Sequence, residues 1–168
     1  MRREIAFVIA IVVLAFGVRV YPAWATVFGG ASVNFLETDA WYHVRLVENQ
    51  VRNYPWRVTL DPYAAAGGQF VAIAPLFDTV TSTAVVVLHG RDAETADVER
   101  VAAFVPPVLG ALTVLLMWAL GRALFEWPAG VLAAALLATL PGHFMDRTML
   151  GFVDHHALEA LLAVWDGT

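Results

Sequence analysis

Two short clusters of carboxylate and imidazole side chains have the residue types and spacing that chemistry requires. The first cluster extends from Glu37 to Arg45 and includes Asp39 and His43, and the second, the run Asp154-His155-His156, follows a long, mostly apolar stretch. Ionisable groups at the edge of a membrane-spanning stretch are costly, and they usually pair with a partner or a metal. What these clusters do therefore depends on whether the fold brings them together.

The second cluster offers the donors of a metal site. Asp154 and His156 are separated by one residue, so both can turn toward one point on an extended stretch or at a helix entry. A carboxylate oxygen with an imidazole nitrogen suits Mn²⁺, Fe²⁺ or Zn²⁺, and Mg²⁺ if water completes the shell. Asp39 can add a further oxygen. The competing reading is that Asp154 caps a helix beginning near Ala157 and that Asp39 caps another, because Asp is a common N-cap residue.

Basic and aromatic-ring side chains accompany both clusters. Arg147 can pair with Asp146 or Asp154, or bind an anion such as a lipid phosphate, and the sequence leaves these alternatives open. In the first cluster, His43 and Arg45 are predicted to lie on a solvated or interfacial face of a helix.

The composition indicates what kind of protein positions these residues. Of the 168 residues, 60% are apolar, and the mean hydropathy is +0.67, whereas an ordinary soluble domain is about 45–50% apolar. The formal net charge of −5 argues against a nucleic-acid partner. The absence of cysteine excludes disulfides and thiolate metal sites. We predict an all-α integral membrane protein, a polytopic helical bundle with a long external first loop.

Long apolar segments mark the predicted spans, and the second and third of them carry no charge. A membrane span needs about 20 residues, and three segments meet or approach that length: 5–27, 101–121 and 127–144. The first span requires Arg19 to snorkel to the far interface. Its rival reading is a cleaved signal peptide, because Ala23-Trp24-Ala25 resembles an A-x-A site. Pro106-Pro107 are expected to kink the second span.

A last apolar run, 157–168, begins like another span and reaches the last residue of the chain. We therefore expect the chain to be the front part of a longer protein, cut within a membrane helix.

Residues 28–100 are predicted to form the external loop, with short helices such as one from Asp39 to Arg52. Whether residues 70–88 cross the membrane is ambiguous, because they are apolar but carry Asp78 and several hydroxyl side chains near their middle. Residues 89–100 are predicted to be a loop or an amphipathic turn. If 70–88 do not cross the membrane, both acidic clusters face outside. The polar residues favour that reading, which makes 145–156 a second external loop.

These residues together resemble a known family. The stretch Thr38-Asp39-Ala40-Trp41-Tyr42-His43-Val44-Arg45 resembles the acidic first-loop motif of the oligosaccharyltransferase catalytic subunits. The stretch Arg147-Thr148-Met149-Leu150-Gly151-Phe152-Val153-Asp154-His155-His156 resembles their second motif, which reads Asp, any residue, then an acidic residue or His. The His variant is closest to the archaeal enzymes. The order of span, long loop, helical hairpin and second motif also matches.

The resemblance implies the N-terminal portion of a larger glycosyltransferase transmembrane domain. Such an enzyme moves an oligosaccharide from dolichyl phosphate or diphosphate to the Asn of an Asn-X-Ser/Thr sequon, with inversion, at the extracellular face of a multi-pass cell-membrane protein. The resemblance assigns Asp39, Asp154 and His156 to a Mn²⁺ or Mg²⁺ ion, Asp39 also to the acceptor amide as the catalytic residue, and Arg147 to the donor phosphate. The family's later acidic residue and Trp-Trp-Asp motif are not in this chain, so the 168 residues alone are expected to be inactive.

Two other readings stay open. The chain can be a small membrane protein or a truncated remnant without chemistry, in which the clusters are helix caps and interface anchors. It can also be another transferase that uses lipid-phosphate sugars, although such enzymes share the early acidic loop and generally lack the Asp-X-His feature.

Overall fold

The computed structural model describes residues 2–167, which are mostly helical. The helices in chain order are α1 (Arg2–Val20), α2 (Trp24–Phe28), α3 (Thr38–Arg52), α4 (Pro75–His89), α5 (Thr95–Leu124), α6 (Trp127–Thr139), α7 (His143–Arg147) and α8 (His156–Trp165). Between α3 and α4, strands β1 (Leu60–Asp61) and β2 (Gln69–Phe70) pair antiparallel, with Leu60 opposite Phe70 and Asp61 opposite Gln69.

Helix α5 is the centre of the fold, because α1, α3, α4, α6 and α8 all pack against it. Its approach to α6 is close because glycines face each other there: a Cβ on Gly121 would lie 2.9 Å from the Cα of Gly130. In the part of the chain that the structure describes, α5 is the one helix long and apolar enough to cross a membrane by length and composition. Helices α6 and α8 are apolar but shorter.

The predicted boundaries of the second span differ from those of α5. A helix of 30 residues is about 45 Å long at a rise of ~1.5 Å per residue, so it exceeds the ~30 Å hydrocarbon core of a bilayer. Its first turns carry Asp97, Glu99 and Arg100, and the prediction of a loop or turn for 89–100 is wrong from Thr95 onward. Pro106 and Pro107 lie inside this helix without ending it.

The first predicted span is helical in two pieces. Helix α1 ends at Val20 and α2 begins at Trp24 after a short turn. The prediction that Arg19 snorkels is wrong, because its side chain is fully buried. Its guanidinium donates to Thr148 Oγ1 at 2.8 Å and to the carbonyls of Ala15 and Ala138 at 2.8 and 3.3 Å. These acceptors replace water at Nε and Nη1, whereas Nη2 is buried without a hydrogen-bond partner among residues 2–167.

The segment after α5 also departs from its predicted boundaries. Helix α6 ends at Thr139, where the prediction placed a span to residue 144. Leu140 is extended, with φ −67° and ψ 127°, because the residue before a proline is driven out of the α region and Pro141 follows. The predicted loop 145–156 begins within α7, and its last residue, His156, is the first residue of α8.

Helices α3 and α4 form an amphipathic pair beside α5. The helix predicted from Asp39 to Arg52 is confirmed as Thr38–Arg52. The buried face of α4 includes Asp78, Thr81 and Ser82, so the polar residues of this segment face protein. Ser82 Oγ donates to the Asp78 carbonyl at 2.7 Å, a bond that lets a hydroxyl stay buried. With 15 residues, α4 is about 22 Å long, shorter than the bilayer core.

Candidate metal centre

The structure brings the two acidic clusters together, and His43 makes the junction. His43 lies on the buried face of α3, where its Nε2 atom is 3.6 Å from Asp154 Oδ1 and 3.4 Å from His155 Nδ1. Asp154 and His155 lie in the short link between α7 and α8. A residue from the first cluster therefore shares a site with residues from the second.

Backbone hydrogen bonds hold this link in place against three parts of the fold. Leu150 N–H donates to the carbonyl of Arg19 and Gly151 N–H to that of Ala103, both at 3.0 Å, while Leu36 N–H donates to the carbonyl of Gly151 at 3.1 Å. Gly151 has φ +79°, a conformation that L side chains rarely adopt. These bonds fix the position of the backbone just before Asp154.

Asp154 is the central group of the site, with only 1% of its surface exposed. Arg147 Nη1 donates to Asp154 Oδ2 at 3.0 Å, and His156 Nε2 lies 3.6 Å from the same oxygen. His155 Nδ1 lies 2.6 Å from Oδ1, but no aligned hydrogen bond to Oδ1 is formed within residues 2–167. A buried carboxylate oxygen without a hydrogen-bond partner is costly, and a cation would satisfy it.

The hypothesis that Asp154 and Asp39 are the N-cap residues of helices is wrong. The N-cap of α8 is His155, without a side-chain capping bond, and Asp154 makes ion pairs instead. The N-cap of α3 is Glu37, whose carboxylate accepts from the backbone N–H of Thr38. Asp39 lies in the first turn of α3, where a carboxylate interacts favourably with the helix dipole.

The charges in the site reinforce one another. His43 Nδ1 donates to Asp78 Oδ1 at 2.6 Å, since a carboxylate only accepts. Burial would by itself lower the pKa of His43, but the nearby Asp154 carboxylate, the hydrogen bond to Asp78 and the charge of both carboxylates raise it to about 9. Burial would raise the pKa of Asp154, but His43 Nε2, which lies 3.6 Å from Oδ1, and the charges of His155 and His156 lower it to about 2. His43 thus acts as a buried cation between two carboxylates.

Two groups of side chains in the described part of the chain place their ligand atoms within 4.8 Å of one another. The first is His43, Asp154 and His155, and the second is His155, His156 and Glu159. Asp39 is exposed and is in neither group, although it lies one helical turn before His43. Asp154 and His156 fall in different groups, although His156 Nε2 lies 3.6 Å from Asp154 Oδ2. The assignment of Asp39, Asp154 and His156 to one cation therefore stays a prediction.

Arg147 lies at the entrance to the site. Besides its bond to Asp154, its guanidinium is 5.0 Å from the centre of the Phe152 ring. Arg147 and His156 both line a cavity of about 550 Å³, together with Glu159 and Thr148. The pairing of Arg147 with Asp154 was one of the predicted alternatives, and this cavity leaves the other face of the cation accessible.

His43 and Asp78 are the site residues that sequence reasoning missed. The prediction of a solvated or interfacial face for His43 is wrong, because its side chain is buried. Helical spacing could have found it, because His43, Val47, Gln50 and Val51 recur at the interval that makes one buried face. No comparable signal identified Asp78 as the partner, because that depends on how α4 packs on α3.

A comparison with known families defines the class of this chain as an oligosaccharyl transferase segment. The family model described as "Oligosaccharyl transferase STT3, N-terminal" matches residues 6–165. The chain belongs to this family, and the resemblance inferred from the two motifs is confirmed.

Curated relatives are archaeal and much longer. The dolichyl-phosphooligosaccharide-protein glycotransferase 3 of Archaeoglobus fulgidus is 35% identical over 147 residues, which is 87% of this chain and 17% of that protein. The dolichyl-monophosphooligosaccharide–protein glycotransferase AglB of Haloferax volcanii is 36% identical over 157 residues, which is 90% of this chain and 14% of that protein. The chain thus spans a minor part of each relative's length.

Solved structures of an A. fulgidus oligosaccharyltransferase have the same fold. Its apo form superposes with a TM-score of 0.88 at 31% identity, covering 96% of this chain and 18% of that one. A complex of that protein with zinc and sulfate gives 0.86 at 31% identity, covering 94% and 20%. A third structure, with an inhibitory peptide and a dolichol-phosphate, gives 0.87 at 31% identity, covering 96% and 18%.

Proposed function

We propose that this chain is the N-terminal, donor-side part of an enzyme that transfers a lipid-linked oligosaccharide to Asn in Asn-X-Ser/Thr sequons. The observation that carries the proposal is Asp154, a buried carboxylate surrounded by imidazoles and Arg147 in a chain of this family. Its Oδ1 atom accepts no aligned hydrogen bond from residues 2–167. The mechanism is an inverting glycosyl transfer that depends on a divalent cation.

The polytopic membrane topology is part of this proposal. Large apolar side chains remain exposed along α1, among them Ile5, Phe7, Ile9 and Val13, and also along α5, α6 and α8. Apolar residues on all sides of a helix are typical of membrane spans. With α1, α5 and α6 in the bilayer, α3, α4 and the link before α8 lie at one membrane edge. That edge is the extracellular face of the cell membrane if Arg3 is cytoplasmic.

The cation site consists of Asp154 and His156, with Asp39 as a further ligand. His156 lines the cavity that contains Arg147, whereas His43 is fully buried and uses Nδ1 to bind Asp78, so His156 is the more accessible imidazole. A carboxylate–imidazole set fits Mn²⁺ better than Mg²⁺, which prefers oxygen and water ligands. The zinc in the A. fulgidus complex supports a divalent cation in such a protein. A bound cation supplies Lewis-acid stabilisation for the charge of the departing phosphate.

Arg147 binds the donor phosphate. Its side chain is 35% exposed, so one face remains open after it pairs with Asp154. A guanidinium suits phosphate because its donors match two oxygens at once. The cavity beside it opens between α7 and α8, where a lipid donor can enter sideways from the bilayer. The dolichol-phosphate bound to the A. fulgidus protein supports this class of donor.

Asp39 engages the acceptor amide. Its carboxylate is exposed at the start of α3, one turn from the buried His43, so it can meet a peptide without being desolvated beforehand. An amide nitrogen is a poor nucleophile, and a carboxylate that accepts its N–H bonds favours the twisted, reactive form. An A. fulgidus structure tethered with a peptide that contains an NVT sequon supports this class of acceptor.

Binding measurements on the chain in lipid nanodiscs test the cation site. We expect Mn²⁺ to bind and Asp154→Asn to weaken it at least 10-fold, whereas the exposed Asp146→Asn makes the same charge change and leaves binding intact. Mn²⁺ binding that is indifferent to Asp154→Asn would contradict the site. For the donor, we expect dolichyl phosphate to bind the wild type and to bind Arg147→Gln more weakly, with Arg45→Gln as the matched control.

Transfer itself is tested in a chimera. This chain replaces the aligned 157-residue segment of the H. volcanii relative, and glycosylation of a sequon-bearing reporter is measured in cells. We expect the chimera to glycosylate, the Asp39→Asn and Asp154→Asn versions to fail, and the Asp146→Asn version to succeed. A chimera that inserts and folds normally but transfers nothing would contradict the proposed function.

A further inference from the structure

The two histidines after Asp154 are each held between two carboxylates. Asp154 provides one carboxylate: its Oδ1 is 2.6 Å from His155 Nδ1, and its Oδ2 is 3.6 Å from His156 Nε2. Glu159 provides the other: its Oε2 is 2.7 Å from His156 Nδ1, and its Oε1 is 3.7 Å from His155 Nε2. Glu159 belongs to neither sequence motif.

Helix α8 produces this arrangement. Residues three and four apart lie on one face of a helix, so Glu159 comes above both His156 and His155. Ala157 and Leu158 are buried and set the rotation of the first turn. The side chain of Glu159 is 59% exposed and that of His156 is 43% exposed, so both remain at the edge of the cavity. The position of Glu159 therefore follows from the packing of α8.

The short contact between Glu159 and His156 determines which ring nitrogen carries the proton. An ionised carboxylate only accepts hydrogen bonds, so at 2.7 Å the Nδ1 atom of His156 donates. In the neutral ring the Nε2 atom then has the free lone pair, and it faces Asp154 Oδ2. Metal-binding histidines almost always donate their other N–H to such an outer carboxylate.

We propose that Glu159 is a positioning residue that holds His156 in its Nδ1–H form, so that Nε2 is presented to a divalent cation beside Asp154. Glu159 is not itself a ligand of that cation, because it lies at the opposite nitrogen of the His156 ring from Asp154. The inference rests on the proposed cation site. It adds a residue that acts through His156 and has no direct contact with the cation.

Nitrogen-15 NMR of histidine-labelled, metal-free protein tests the proposal directly, because two-bond correlations distinguish the two neutral tautomers. The His156 signals are assigned by their loss in His156→Ala. We expect the Nδ1–H form in the wild type and its loss in Glu159→Ala. Glu159→Gln keeps an oxygen that accepts, so it should restore the Nδ1–H form. A wild-type Nε2–H form, or an unchanged tautomer in Glu159→Ala, would overturn the proposal.

Mn²⁺ affinity provides the second readout. Removing an outer carboxylate typically lowers metal affinity about 10–100-fold, so we expect that loss in Glu159→Ala, a smaller loss in Glu159→Gln and none in Glu94→Ala, an exposed glutamate at the start of α5. Loss of binding with an unchanged tautomer would make Glu159 a direct ligand and overturn the proposal. If the wild type binds no cation, the proposed cation site fails, and the metal-free tautomer measurement still decides the role of Glu159.

Discussion

Gly110→Ala is expected to disturb the buried hydrogen bond between Arg19 and Thr148, which holds the start of the segment that leads to Asp154. Gly110 lies in α5 at the point where Arg19 donates to Thr148. A Cβ at residue 110 would lie 2.7 Å from Arg19 Nε, 2.8 Å from Thr148 Cβ and 3.0 Å from Arg19 Cδ. Real Cβ atoms essentially never approach this closely, so the arginine or the threonine must move.

The cost follows from the contacts that are lost. Overpacking a core site costs about 1–3 kcal/mol, and breaking a buried hydrogen bond to a charged group adds about 1.5–3 kcal/mol. The better helix propensity of alanine returns up to about 1 kcal/mol. We therefore expect a net loss of about 1.5–5 kcal/mol, which for a chain of this size corresponds to a fall in Tm of roughly 3–20 °C. Because Thr148 begins the link to Asp154, Mn²⁺ affinity should fall as well.

The assay is thermal unfolding in detergent, followed by the fluorescence of the six tryptophans. Gly17→Ala is the matched control, because a Cβ there meets nothing within 4 Å, and its Tm should stay the same or rise. In an Arg19→Ala background, Gly110→Ala should cost less, since one of the two clashing side chains is gone and only the contact with Thr148 remains. A Tm for Gly110→Ala equal to that of the wild type would contradict the expected displacement of Arg19 or Thr148.

The remaining predictions concern pH and backbone conformation. Because the pKa of His43 is raised from 6.5 to about 9, its contribution to the stability of the metal-free protein is present below pH 6.5 and is lost as pH rises through about 9. That contribution is on the order of 3 kcal/mol, and Asp78→Asn should shrink it in urea or thermal unfolding followed across that range. The pKa of Asp154 is lowered from 3.8 to about 2, so its contribution to the stability of the metal-free protein is present above pH 3.8 and is lost as pH falls through about 2. A stability that rises on acidification from pH 4 would contradict this prediction. Gly151→Ala should cost about 1–3 kcal/mol from backbone strain, because Gly151 has φ +79°. Overpacking adds to this cost, because a Cβ would lie 2.7 Å from Val27 Cγ2. A Tm equal to that of the wild type would contradict this prediction.

The sequence was most informative where local pattern and chemistry coincide. The amphipathic pattern after Asp39 predicted α3, and the motif around Asp154 and His156 identified the family. Uncharged runs located α5 and α6, because burial in a bilayer or a core excludes charge over such lengths. The ends of these helices were less predictable, because a helix continues into polar residues, as α5 does at Thr95, when other helices pack against it.

Tertiary partners explain what the sequence could not reveal. Arg19 looked like an interfacial residue, because nothing in the local sequence indicates that Thr148 and Ala138 accept its hydrogen bonds. His43 looked solvated, because its partners Asp78 and Asp154 are far away in the chain. The sequence alone therefore does not tell whether a lone charged or polar side chain in an apolar segment is buried or exposed. That depends on whether the fold places a hydrogen-bonding or charged partner next to it.

Pulsed EPR of Mn²⁺ bound to the chain, with nitrogen-15 in its histidines, tests the central claim most directly. A coordinated imidazole nitrogen couples magnetically to the ion, so the spectrum reports a His ligand. We predict a coupling that is present in the wild type, absent in His156→Ala and retained in His143→Ala, whose exposed ring lines the same cavity as His156. A coupling that survives in His156→Ala, or bound Mn²⁺ without any histidine coupling, would contradict the proposed cation site.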